Sequence, residues 1–176
     1  MDPRILEIGA ARNIDRPYAD PRVTRHTNDG RAFLESTGRT YDLVLFALPD
    51  SLTLVSGASQ IRLESFLFTR EAMASVRRHL KPGGAFAMYN YYREPWLIDR
   101  LAGTAAAVFG HAPCVDTYAG AQAVVSVAMS PADQKCASAW TPSAAAIAPA
   151  SDNAPFLYFR GDTFPRSTRS PCSASC

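Results

Sequence analysis

Tyr41-Asp42-Leu43-Val44-Leu45-Phe46-Ala47-Leu48-Pro49-Asp50-Ser51 reads as a strand, Leu43 to Leu48, that stops at a Pro-Asp-Ser turn. An apolar run of this length, without alternation and ended by a turn, suits a parallel strand covered by helices on both faces. In open α/β sheets ligands bind beyond the carboxyl ends of such strands, so Asp50 is the first residue to weigh for chemistry. Turn formation after Pro49 explains it equally well. Upstream, Gly30 to Ser36 forms a short helix with Asp29 as its N-cap and Gly38 closing it. Downstream, Lys81-Pro82-Gly83-Gly84 turns the chain into a second apolar strand, Ala85 to Tyr91.

The pattern continues outward. Pro3 to Asn13 is a helix with Ile5, Leu6, Ile8 and Ala11 on its apolar face, and Arg22 to Thr27 is a short strand ended by Asn28-Asp29-Gly30. The long loop from Leu52 to Leu67 has the length of a functional or mobile element. Thr69 caps a helix over Arg70 to Leu80, where Ala72, Met73, Val76 and Leu80 share a face. Glu94 to Phe109 is the clearest amphipathic helix. Ala112 to Thr117 and Ala123 to Met129 are strands of an antiparallel edge. From 131 to 154 the composition shifts to Ala, Ser and Pro.

A net charge of +2 on 176 residues argues against nucleic acid as an obligatory partner. Arg77, Arg78, His79 and Lys81 cluster where a helix ends, and cations there offset its dipole. No apolar run is long enough to span a bilayer, and the start lacks a secretory pattern, so the expected location is cytoplasmic. Cys114 and Cys136 stand isolated, Cys172 and Cys176 lie in a Ser-rich tail, and neither pair has metal-ligand spacing. His26, His79 and His111 show no spacing with acids or cysteines that suggests a metal or a triad.

The order DPRV, NDGRAFL, YDLVLFALPDS, FLFTREAMASVRRHLKPGGAFAMYNYY resembles the spermidine synthase-like branch of the class I S-adenosylmethionine-dependent transferases. Asp152 to Tyr158, DNAPFLY, looks like a later motif of the same branch. The resemblance runs from about Asp2 to Arg160. It implies an α/β, Rossmann-like, methyltransferase-type sheet with helices on both faces, lacking its first two strands and glycine-rich loop. The expected organisation is an incomplete transferase domain over 1–130, a linker over 131–154, a docked motif over 155–166 and a disordered tail over 167–176. Some bacterial members of the branch carry this domain within a longer membrane protein.

The resemblance also implies roles. The donor would be S-adenosylmethionine or its decarboxylated form, transferred to an amine acceptor. Asp29, with Gly30, would meet the adenine amino group; helix capping is the plain alternative for Asp29. Asp50 would hold the acceptor's positive charge. Ala47 stands where spermidine synthases have the aspartate that takes the amine proton, and alanine accepts no proton. That departure leaves two readings: an aminopropyl- or methyltransferase, or a catalytically silent module. Tyr89 and Tyr91 end their strand at the same rim and would line a substrate pocket, although aromatic residues also suit a half-buried strand.

Two absent strands would open a slot of about 15 Å in the sheet, at roughly 4.8 Å per strand. Unpaired backbone groups along such a slot need partners. The Val23 strand is expected to move over and pair with the Leu45 strand, or a second chain to fill the slot by self-association.

Overall fold

The computed structural model describes residues 3–48, 63–92, 94–118, 122–143 and 147–158. Its elements run α1 (Pro3–Arg12), α2 (Gly30–Ser36), β1 (Tyr41–Ala47), α3 (Arg70–Arg78), β2 (Leu80–Tyr91), α4 (Pro95–Phe109), β3 (Cys114–Tyr118) and β4 (Gln122–Ala128), with short 3-10 turns between them. The four strands form one mixed sheet in the order β1-β2-β4-β3. β1 lies parallel to β2, and the β2-β4 and β4-β3 pairs are antiparallel. This is an α/β fold. Among the described residues β1 is an edge strand of this sheet.

Alternation along the strands separates the two faces of the sheet. On β2, Phe86, Met88 and Asn90 are buried, while Tyr89 and Tyr91 are exposed. Register carries the buried face across: Phe86 pairs with Val127 of β4 and Val44 of β1, and Met88 pairs with Val125 and Phe46. Met73 and Val76 of α3 and Leu97, Leu101 and Ala105 of α4 complete this core. The opposite face carries Leu43 and Leu45, 56% and 48% exposed. Helices thus cover one face only among the described residues, which corrects the expectation for β1. Its unalternated apolar run is not matched by two packed layers.

Local capping explains most helix boundaries. Thr69 Oγ1 accepts the Ala72 N–H at the start of α3, and Gly110, at φ 84°, closes α4 in the left-handed conformation that glycine adopts without strain. α2 departs from expectation at its end. The extended Thr37 caps it by donating its N–H to the Phe33 carbonyl, so Gly38 has no capping role. α1 forms where its pattern predicts, yet none of its residues is buried, and Ile5 and Ile8 are each 62% exposed.

Two further corrections concern pairing. Val23 to Thr27 has no regular secondary structure and belongs to no strand, so the expected pairing with the Leu45 strand does not form within the chain. Local contacts hold this segment instead. The Arg25 guanidinium lies over the Tyr18 ring, and the His26 ring packs on Phe33. Cys114 and Cys136, isolated in sequence, are joined in a disulfide with Cα atoms 5.2 Å apart. The fold brings them together because residues 131–140 run back along β3. There Ser138 accepts the Val115 N–H, and Trp140 donates its N–H to the Pro113 carbonyl. Trp140 Nε1 reaches Asp99 of α4 at 3.1 Å, and its ring lies where a Cβ on Gly103 would stand only 3.5 Å away.

Candidate functional site

The candidate residues gather from two regions, the start of α2 and the carboxyl ends of β1 and β2. Asp29 caps α2 through one of its two carboxylate oxygens. Its Oδ1 accepts the N–H of Arg31 at 2.9 Å and of Ala32 at 3.0 Å, satisfying donors that a helix start leaves unpaired. Its Oδ2 makes no hydrogen bond with the described residues. The side chain lies in an exposed segment, so this oxygen is available to a donor from outside. Gly30 follows at ordinary contact distance from Leu67: a Cβ there would sit 3.5 Å from its methyl carbon.

An ion-pair network fixes this helix start. Arg31 Nη2 meets Asp152 Oδ2 at 2.8 Å, and Nη1 meets Asp152 Oδ1 at 3.1 Å and the Phe66 carbonyl at 3.1 Å. Thr69 donates to Asp152 Oδ1 at 2.7 Å, and Glu71 Oε2 accepts the Asp152 N–H at 3.0 Å. The Arg31 guanidinium holds the Asp152 carboxyl below its usual range, against the opposing effect of partial burial, with Thr69 adding to the lowering. The same pairing raises Arg31. Four segments thereby meet at one point: α2, the 3-10 turn Leu63–Phe68, the start of α3, and the turn closed by Ser151 and Ala154.

The segment after that turn packs against the core at Leu157. Leu157 is 2% exposed, and Arg100 Nη1 donates to the carbonyls of Phe156 at 2.8 Å and Leu157 at 2.7 Å. Arg31, Thr69 and Arg100 were not legible as a joint device. Each contacts segments far away in sequence, and an arginine in a short helix carries no signal of its own.

At the strand ends, Ala47 pairs with Tyr89. Leu48 then turns left-handed at φ 45°, an unusual conformation for a leucine, and donates its N–H to the Tyr89 carbonyl at 3.2 Å. Tyr89 and Tyr91 both project from the uncovered face, 37% and 44% exposed. Between them the buried Asn90 accepts the Tyr91 N–H with its own side chain. Asp50 lies outside the described residues. Among the described residues no cluster of His, Cys, Asp and Glu could hold a metal ion, and no helix is long and apolar enough to cross a membrane.

No family model matches the chain. Over 96 residues, 53% of this chain, it is 31% identical to the polyamine aminopropyltransferase of Nitrosomonas europaea, and the matched stretch covers 26% of that enzyme. Among solved structures, human Methyltransferase-like protein 13 in complex with SAH superposes with a TM-score of 0.56 at 20% identity, covering 77% of this chain and 61% of that one. The chain is a distant homologue of the aminopropyltransferase, with a methyltransferase-type fold. It spans less than two thirds of either protein.

Proposed function

We propose that this distant relative of the aminopropyltransferases is an S-adenosylmethionine-type transferase domain. Its donor site would lie at the start of α2 and its acceptor site at the ends of β1 and β2. The observation that carries the reading is the divided carboxylate of Asp29. One oxygen serves the helix, and the other is left to accept a hydrogen bond from an adenine amino group. Gly30 adds no side chain beside it. Tyr89 and Tyr91 offer ring faces to a cationic acceptor, and Asp50 would supply the opposing charge. The sulfonium donor, when bound, brings a carbon activated for transfer to an amine; the chain's own part is to hold both molecules.

Ala47 favours a second reading. At the end of β1, opposite Tyr89, it offers nothing that takes a proton from an amine. On this reading the domain binds a donor-type ligand without catalysing aminopropyl transfer.

A thermal melt with and without millimolar S-adenosylmethionine, decarboxylated S-adenosylmethionine or methylthioadenosine tests both. A ligand at 100 times its dissociation constant adds about 2.7 kcal/mol. A raised midpoint that Asp29→Asn abolishes supports the donor site, and amine product then separates transferase from silent binder. An unmoved midpoint with all three ligands overturns both.

A further inference from the structure

The side chain that faces the Cys114–Cys136 disulfide is oriented by the backbone. Gln134 Oε1 accepts the Ala128 N–H at 2.6 Å, and a backbone N–H only donates, so this contact fixes which end of the amide is which. The amide nitrogen is thereby turned onto both sulfurs: Nε2 lies 2.9 Å from Cys114 Sγ and 3.2 Å from Cys136 Sγ. The two cysteines are not equivalent. Cys114, on β3, is 5% exposed, whereas Cys136, in the segment that runs back along β3, is partly open to solvent. A second group stands beside Cys114. The Lys135 carbonyl lies 3.5 Å from its sulfur, an acceptor that a disulfide has no proton for and a thiol does.

We propose that Cys114–Cys136 is a redox-active disulfide, reduced by dithiols through attack at Cys136, with the Gln134 amide stabilising Cys114 as the leaving thiolate. A thiolate of the reductant bonds to Cys136 Sγ, the bond between the two cysteines breaks, and its electron pair departs on Cys114 Sγ. Forming that charge in a buried place is costly without a hydrogen bond, and Gln134 Nε2 donates one. A better stabilised leaving thiolate speeds the exchange. The reductant's second thiolate then displaces Cys136. The reductant ends as a disulfide, its two protons pass to Cys114 and Cys136, and the Cys114 thiol has the Lys135 carbonyl to donate to. Residues 131–140 thereby lose their covalent tie to β3.

Reduction of the whole folded chain by dithiothreitol, followed by rapid alkylation and mass spectrometry, tests this. Gln134→Glu keeps an oxygen for the Ala128 N–H and replaces the donor with a carboxylate oxygen. It should slow reduction about tenfold, as the loss of one hydrogen bond to a charged group would. A merely structural Gln134 predicts the reverse, because a loosened segment would expose the sulfurs. An unchanged or faster rate therefore overturns the proposal. Glutathione, a monothiol, gives a readout that needs no variant: in the wild type the mixed disulfide should be found on Cys136 and the alkyl label on Cys114. Glutathione on Cys114 instead, or a bond that yields to neither reductant until denaturant unfolds the chain, overturns it equally.

Discussion

Arg31 and Asp152, 121 positions apart, form a two-pronged ion pair: Nη1 to Oδ1 at 3.1 Å and Nη2 to Oδ2 at 2.8 Å. It ties the last docked segment to the helix whose cap is Asp29. Paired geometry of this kind is the strong form of the charge-assisted hydrogen bond. The Asp152 side chain is 38% exposed, so solvent screens part of the gain. Asp152→Ala should cost about 1 to 2 kcal/mol in a denaturant melt.

The pH dependence has a definite sign. The carboxyl of Asp152 is lowered in the folded state from 3.8, mainly by its hydrogen bonds to Arg31. The unfolded chain therefore binds the proton more readily, and the stabilisation is present above the unfolded value and lost as pH falls through the folded one. Asp20 and Asp42 are lowered in the same sense, by Arg22 and Lys81. Melts from pH 6 down to 2 should show a shallower acid loss in Asp152→Asn than in the wild type, and parallel curves would count against the pairing.

Asp29 permits a separation of stability from binding. Asn caps a helix about as well as Asp, whereas Ala costs about 1 kcal/mol. Asp29→Asn should leave the melt within about 0.5 kcal/mol of wild type while exchanging a carboxylate oxygen for an amide that cannot serve an amino donor in both its orientations. Loss of methylthioadenosine binding by calorimetry, with the melt unchanged, is the expected result.

Reduction of the Cys114–Cys136 bond should lower stability by about 3 kcal/mol, the loop-closure value for a separation of 22 residues. Melts with and without reductant measure it, with the Cys136→Ser chain as the control that reductant should no longer move.

Phe86 tests the core. It is fully buried between β1 and α4, edge-on to Phe46 and stacked over Phe109 at 6.4 Å. Phe86→Ala should destabilise by about 3 to 5 kcal/mol in a denaturant melt.

Short-range chemistry was legible in the chain. Asp29 and Thr69 are good caps followed by apolar periodicity, and the structure makes both. The β2 strand after Lys81-Pro82-Gly83-Gly84 was legible too, although pairing begins earlier, at Leu80. What failed depended on distant neighbours. β1 reads as a doubly covered strand because apolar residues at Leu43 and Leu45 record what a strand can pack against, without recording whether anything is there. Val23 to Thr27 has strand-forming residues, but a strand needs a partner edge, and propensity alone does not supply one. The disulfide depended on residues 131–140 returning along β3, a path set by Trp140 docking on Gly103 and Asp99. Of the candidate residues, Asp29 was readable as a cap; the pairing of the neighbouring Arg31 with Asp152 was not.

The docking of Trp140 also fixes what light can report. The chain has two tryptophans. Trp140 lies against Gly103 and Asp99, and Trp96 lies beneath the Arg100 guanidinium in the first turn of α4. Both indoles therefore pack on or within α4, and intrinsic fluorescence follows that helix. Fluorescence thus reports on α4 and on the segment that Trp140 anchors to it, the part of the fold that the disulfide also holds.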